Sequence, residues 1–229
     1  MDTIVFKFNE TNFKYNEYLL YSLLDNGWNG KWKQTDSFIS IYKAINKKLV
    51  NFNNCFDYNQ ILRLIICICN QIERLKKYNL GIINLDLSDI LIINNEWFII
   101  NLNNDNLFNL NENGYIKINY PIKNNKYSSL EVKNINILPF LCYYTNVYFN
   151  LALICLDLLD VNDKSLIIND NLINQNNNLI NQNDNLINQN NKKSNVYKFK
   201  LSKIYGSQLY FLFKRFLNKN PLLRKYLLI

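Results

Sequence analysis

The sequence predicts an α+β fold whose second half is mainly helical. Apolar residues recur at helical spacing in three segments, 58–78, 146–161 and 207–218. Between the first two lie "DILII" and "WFIINL", short apolar runs joined by "NNE", and their length and turn chemistry predict a hairpin. The chain has 229 residues, 48% of them hydrophobic, which is enough to bury a sizeable core.

The first 54 residues predict smaller elements. Residues 3–8, "TIVFKF", alternate loosely and predict a strand, and so does the segment 37–45. Residues 15–27 carry Leu and Tyr at helical spacing and end in Gly27, which predicts a helix with a glycine stop.

The segment 58–78 has the clearest helical pattern. Its apolar face is formed by Ile61, Leu64, Ile65, Ile68, Ile72 and Leu75. Cys67 and Cys69 widen this face, so we expect the helix to be buried on most sides. Lys76 and Lys77 suit the negative C-terminal end of the helix dipole. The helix at 207–218 is amphipathic and is followed by Pro221, which stops it.

Between the last two predicted helices, a seven-residue repeat runs from Asn169 to Gln189 as "NDNLINQ", "NNNLINQ" and "NDNLINQ". Each unit has one adjacent apolar pair and lacks the second apolar position that a coiled coil needs. We interpret residues 165–195 as an Asn-rich low-complexity insert looped out from the surface. The alternative is a segment for self-association or β-aggregation. Asn is abundant throughout, as expected from an AT-rich genome.

The net charge is +8, which permits attraction to nucleic acid or an anionic surface. The densest basic runs comprise Lys192, Lys193, Lys198, Lys200, Lys203, Lys214, Arg215, Lys219, Arg224 and Lys225. We interpret them as a solvated basic surface, and nucleic-acid binding is the alternative.

The chain has five cysteines, most of them among apolar residues, and no histidine. This composition argues against a zinc site and indicates a reducing compartment. The N-terminus shows no secretory pattern. The longest apolar runs, about a dozen residues, are shorter than the roughly 20 that a bilayer span needs. We therefore expect no membrane span and a place in the cytoplasm or nucleus, including the cytoplasm of a host cell.

The loop "INLDLSDIL", residues 83–91, places Asp86 and Asp89 between the buried helix and the hairpin. This order of elements, followed by a Ser-rich turn with Glu131, a second buried helix, an insert and "LNKNPLLR", resembles the C-terminal lobe of a protein kinase. The resemblance covers about residues 55–229. It implies a protein kinase-like fold with a mainly helical C-lobe.

Protein kinases carry a His-Arg-Asp catalytic loop followed by a Lys and a metal-binding Asn. Here Asp86 matches the catalytic Asp, and Asn84 and Leu85 stand at the His and Arg positions. Ser88 stands at the Lys. The metal-binding Asn corresponds to Asp89 if two residues are deleted, which we prefer because "DIL" then matches the family's Asn-Ile-Leu. Without the deletion it corresponds to Leu91.

The remaining motifs are matched in part. The metal-binding Asp-Phe-Gly corresponds to Asn101-Leu102-Asn103, and Ala-Pro-Glu corresponds to Ser129-Leu130-Glu131. Asn146 takes the place of an Asp that begins the second buried helix. In kinases the Glu of Ala-Pro-Glu pairs with a late Arg. The resemblance therefore implies a structural ion pair between Glu131 and Arg224.

The Gly-rich loop and the lysine that bind the phosphates of ATP in kinases are poorly matched in this sequence. The segment "DNGWNGKW", 25–32, has only Gly27 and Gly30 of a Gly-rich loop, and Lys43 is a weak candidate for the phosphate-binding Lys. Residues 1–54 are too few for five strands and a helix, so they predict a truncated or rebuilt N-lobe, with the C-lobe at 55–229. Asn101 offers a neutral amide where magnesium prefers a carboxylate.

These losses favour a pseudokinase that acts as a binding or scaffold module, with a protein partner such as an active kinase or its substrate. We expect no bound cofactor. One alternative is a divergent Ser/Thr kinase that uses ATP and magnesium, with Asp86 as base and Asp89 and Asn101 as metal ligands. A second alternative is a basic protein that binds nucleic acid through its C-terminal lysines.

Overall fold

The computed structural model describes residues 55–93, 96–99, 107–160 and 192–226, together with four strands in the first 49 residues. The predicted helix at 15–27 and the repeat at 169–189 lie outside the described residues.

The first helix, α1, spans Tyr58–Lys77 and confirms the prediction at 58–78. It begins at Asp57, whose carboxylate accepts from Gln60 N (2.8 Å) while the Gln60 side chain accepts from Asp57 N (3.0 Å). This reciprocal pair satisfies two backbone donors that a helix start leaves open. The predicted apolar face is buried, and it also includes Cys69 and Gln71.

The helices α2 (Leu130–Lys133) and α3 (Asn146–Leu158) follow. Every residue of α3 except Asp157 is buried, because neighbouring elements cover the helix on all sides. We predicted that this helix extends to residue 161. It ends at Leu158 because Leu159 is extended and forms a parallel bridge with Phe56.

Two more helices pack against α3, namely α4 (Lys192–Lys203) and α5 (Gln208–Phe216). The helix α5 confirms the prediction at 207–218, with the Ser207 side chain capping its first turn. The helix α4 is not predicted by the sequence pattern, and it begins within the range that we assigned to the insert. Tyr148 of α3 stacks on Phe216 of α5, with ring centroids 4.8 Å apart.

The strands in the described part of the chain form four small antiparallel sheets. In the first, β3 (Phe38–Tyr42) lies between β1 (Thr3–Lys7) and β2 (Lys31–Gln34), which confirms strands at both predicted positions. In the second, β6 (Ile90–Ile93) lies between β4 (Lys48–Leu49) and β7 (Glu96–Ile99), and its pairing with β7 confirms the predicted hairpin. The other sheets pair β5 (Leu80–Ile82) with β8 (Leu107–Asn109), and β9 (Tyr115–Ile118) with β10 (Phe140–Tyr143).

The large core is built around α1 and α3 and includes side chains from α4, α5 and several strands. A second, small core is formed by Ile83, Ile116, Ile118, Val132 and Cys142, where the β9–β10 ribbon packs against the start of the acidic loop. None of the helices in the described part of the chain is long and apolar enough to cross a bilayer.

Candidate functional site

The acidic loop connects β5 to β6, and its second residue has left-handed backbone geometry. Asn84 has φ of 60°, a conformation that Asn tolerates better than most side chains. Its amide Nδ2 donates to the carbonyl of Lys123 (2.9 Å). Asn84 stands where the catalytic loop of protein kinases has its His. Its hydrogen bond connects the loop to a segment about 40 residues further along the chain.

Asp86 and Asp89 cap the turn that they enclose. Asp86 precedes a 3₁₀ turn at Leu87–Asp89, and its Oδ1 accepts from Ser88 N (3.2 Å). Asp89 reaches back, and its Oδ2 accepts from Asp86 N (2.8 Å). No lysine or arginine of the described chain forms a salt bridge with either carboxylate. The two side chains therefore stabilise the loop that carries them.

Burial raises the pKa of Asp89 from its ordinary value of 3.8 to about 6. The hydrogen bond from Asp86 N opposes this shift, and the nearby Asp86 charge adds to it. A carboxyl with a raised pKa is more costly to ionise than one in water, here because burial removes the water that would solvate its charge.

The raised pKa predicts a pH-dependent stability. The folded chain holds the Asp89 proton more tightly than the unfolded chain does, so the free energy of unfolding falls as pH rises from about 4 to 6. Asp89→Asn removes the charge and keeps an oxygen for Asp86 N. We expect this variant to be more stable than the parent at pH 7 by roughly 1–3 kcal/mol, with no gain below about pH 4.

Urea unfolding between pH 4 and 7.5 measures this difference. Glu112→Gln, which replaces an exposed carboxyl, is the matched control and should follow the parent curve. Parallel curves for the parent and Asp89→Asn would show that the Asp89 carboxyl carries no folding penalty.

A second segment, 123–127, holds the acidic loop from outside. Asn125 Nδ2 donates to the carbonyls of Asn84 (3.0 Å) and Leu85 (3.4 Å). Its Oδ1 accepts from Tyr127 N (2.8 Å), which fixes the amide orientation. Sequence reasoning missed Asn125, because Asn is so common in this chain that no single Asn stands out.

Asp157 at the end of α3 accepts hydrogen bonds from three side chains of two segments. It accepts from Lys126 Nζ (2.9 Å) and the Tyr127 hydroxyl (3.1 Å), and its other oxygen accepts from the Tyr197 hydroxyl of α4 (2.7 Å). Burial, followed by the Asp157 charge, raises the pKa of Tyr127 well above its ordinary value, so this hydroxyl stays protonated and donates. The segment after the acidic loop is thereby fastened to α3 and α4.

The structure brings Glu131 and Arg224 together. The Arg224 guanidinium donates from Nη1 to Glu131 Oε1 and from Nη2 to Oε2, the latter at 3.1 Å. Arg224 is 0% exposed, its Nε donates to the carbonyl of Asn218 (2.7 Å), and its guanidinium lies 5.0 Å from the centre of the Phe149 ring. This contact joins α2, α3 and the segment after α5.

Asn146 lies at the start of α3, directly behind the acidic loop. Its Nδ2 donates to the carbonyl of Ile82 (3.3 Å), and its Oδ1 is buried with no partner among the described residues. An amide here supplies the donor that this carbonyl needs, which an ionised Asp could not do.

The other sequence-predicted site residues are not brought to the loop by any described contact. Lys43 and Asn101 lie outside the described residues, and Leu91 is described only as part of β6. Within the described ranges, no three His, Cys, Asp or Glu side chains are grouped closely enough to hold a metal ion. The described loop offers magnesium two carboxylates, each already accepting a backbone N–H.

Comparison with known proteins shows a protein kinase-like fold. No family model matches the sequence, and no curated protein matches it. The twitchin kinase region from C. elegans is similar in structure, with a TM-score of 0.51 and 11% identity over 97% of this chain. A twitchin kinase fragment, described as autoregulated protein kinase and immunoglobulin domains, gives a TM-score of 0.47 and 9% identity, also over 97% of this chain. This chain spans 38% and 48% of their respective lengths.

Proposed function

We propose that this chain is a pseudokinase, a kinase-like fold that binds a protein partner and does not transfer phosphate. The observation that carries the proposal is that Asp86 and Asp89 stabilise their own turn. Both accept backbone hydrogen bonds within their own turn, and burial raises the pKa of Asp89 to about 6, with no salt bridge to a cation of the described residues. The fold contacts, above all Glu131 with Arg224, are kept.

Phosphoryl transfer needs a nucleotide cradle, magnesium ligands and an aligned carboxylate. The chain has an amide at Asn101, two glycines where the cradle has three, and Ser88 in place of the catalytic-loop Lys. A lobe of this kind acts by occupancy, because it can engage a kinase or its substrate without modifying it. Such a role suits the cytoplasm or nucleus.

A divergent active kinase is the second candidate, because Asp86 remains partly exposed and keeps the catalytic position of the resemblance. Asp86 would accept the proton of the acceptor hydroxyl, and Asp89 with Asn101 would hold magnesium that neutralises the phosphates of ATP. Both candidates share the fold and differ in nucleotide binding.

The pseudokinase proposal predicts no thermal response to nucleotide. A ligand present at about 100 times its dissociation constant stabilises by about 2.7 kcal/mol, or roughly 5–10 °C for a chain of this size. We expect no shift with ATP and magnesium in differential scanning fluorimetry. ATP without magnesium and a catalytically active kinase serve as controls.

The outcome that contradicts the proposal is specific. A shift that requires magnesium, together with autophosphorylation that Asp86→Asn abolishes, would establish the active kinase. Asp86→Asn keeps an oxygen that can accept from Ser88 N, so its loss of activity would report on the carboxylate and not on the turn.

A further inference from the structure

The C-terminal part of the chain carries a concentrated positive charge. Residues 192–229 hold ten of the 26 Lys and Arg residues and none of the 18 Asp and Glu residues. The net charge of +8 therefore arises entirely in this segment, and the rest of the chain is slightly acidic. Some of these cations point inward: Arg224 binds Glu131, and Lys200 donates to the carbonyls of Leu156 (2.7 Å) and Leu159 (2.9 Å).

The helix α4 packs its inner face on the large core and carries exposed apolar side chains on its outer face. Tyr197 and Lys200 face inward, where they bind the C-terminal end of α3. Val196 and Phe199, three residues apart, are 49% and 52% exposed, and Lys203 follows one turn later with its Nζ 5.6 Å from the centre of the Phe199 ring. A surface helix ordinarily turns polar residues outward, so two half-exposed apolar side chains on this outer face are unusual.

The helix α5 repeats the pattern. Phe211 is 51% exposed, and the exposed Lys214 follows one turn later. Phe211 contacts Tyr210 (5.4 Å between ring centres), which in turn contacts Tyr205 (4.9 Å) in the turn after α4. A row of aromatic rings therefore leads from the end of α4 to the outer face of α5.

We infer that the outer faces of α4 and α5 bind an acidic segment of a protein partner, with apolar side chains at helical spacing among its carboxylates. This inference rests on the proposed function, because it names the partner class of the binding module. Val196, Phe199 and Phe211 receive the apolar side chains, and Lys203 and Lys214 pair with the carboxylates.

Charge and side-chain chemistry select this occupant. A segment with ten cations and no anions repels basic partners and accelerates encounter with acidic ones. The i, i+3 spacing of Val196 and Phe199 matches the apolar stripe of an amphipathic helix. Single-stranded nucleic acid is bound by basic grooves in which aromatic rings stack on the bases. Val196 has no aromatic ring and therefore cannot stack on a base.

Fluorescence anisotropy tests the inference with a fluorescein-labelled peptide in which leucines at helical spacing interrupt a run of glutamates. We expect binding that weakens about tenfold or more in Phe199→Ala/Phe211→Ala and in Lys203→Glu/Lys214→Glu. Leu141→Ala and Lys117→Glu, an exposed apolar and an exposed basic position on the β9–β10 ribbon, are the matched controls and should bind like the parent.

Three competing probes decide the alternatives. The same peptide with its leucines replaced by serine should bind about tenfold more weakly, and equal binding would reduce the surface to a general polyanion site. Tighter binding of an oligothymidylate, or of phosphatidylserine vesicles, would overturn the inference in favour of nucleic acid or membrane. Failure to bind the leucine peptide would overturn it outright.

The two proposals fail separately. If the chain binds neither ATP nor the peptide, it remains a pseudokinase with a different partner. A chain that binds the peptide and phosphorylates itself loses the pseudokinase assignment and keeps the docking surface. Circular dichroism checks that each variant folds. We expect all of them to fold, because all substituted side chains are at least partly exposed.

Discussion

Arg224→Met is expected to lower the free energy of unfolding by about 3–5 kcal/mol, which is the range for breaking a buried ion pair from one side. The substitution leaves the Glu131 carboxylate, only 16% exposed, without its cation, and it removes the donor to the Asn218 carbonyl. Urea unfolding followed by circular dichroism measures the loss.

The neighbouring exposed Lys225→Met provides the matched control and should change stability by less than about 0.5 kcal/mol. The double variant Glu131→Gln/Arg224→Met should recover part of the loss, because it no longer buries an unpaired charge. Arg224→Lys should not restore the parent stability, since one ammonium cannot make the two-pronged contact. A cost for Arg224→Met as small as that of the control would show that the pair is incidental.

Gln71→Leu is expected to destabilise the chain by about 2–4 kcal/mol, because it leaves buried backbone groups without partners. Gln71 Nε2 donates to the Trp97 carbonyl (2.7 Å), and its Oε1 accepts from Ile99 N (3.0 Å). One side chain of α1 thus bonds two backbone groups of β7. Equilibrium urea unfolding gives the total loss, and amide exchange at Ile99 should accelerate.

Asn70→Leu tests whether this effect belongs to the bridge. Asn70 is exposed on the same turn of α1, so adding a leucine there should leave stability almost unchanged. Equal effects at the two positions would mean that the Gln71 amide does not hold β7 to the helix.

The parts of the fold that depend on local pattern could be predicted from the sequence. Helix α1 and the β6–β7 hairpin follow from apolar spacing and short turns, and the capping of the acidic turn by Asp86 involves neighbours only two or three residues apart. The pairing of β9 with β10 could not be predicted, because the two strands are short and Phe140 pairs with a residue 22 positions earlier.

The helix α4 and the contacts around the site were missed for a related reason. The apolar pattern of α4 is weak, and the helix is held both by the burial of Tyr197 in the large core and by hydrogen bonds from Tyr197 and Lys200 to the end of α3. Asn125 and Asp157 act on residues 30 to 41 positions away in the chain. Such partners are set by the packing of distant segments, which residue spacing does not encode.

The long reach of the Arg224 and Lys200 contacts has a consequence for biosynthesis. Arg224 lies 93 positions after Glu131, and Lys200 lies 44 positions after Leu156. A nascent chain in which α3 has left the ribosome while synthesis has not yet reached residue 224 therefore exposes this apolar helix before all the residues that enclose it have been translated. Chaperone binding at the ribosome should be strongest over this interval, and a premature stop codon between 160 and 224 should yield an aggregation-prone product.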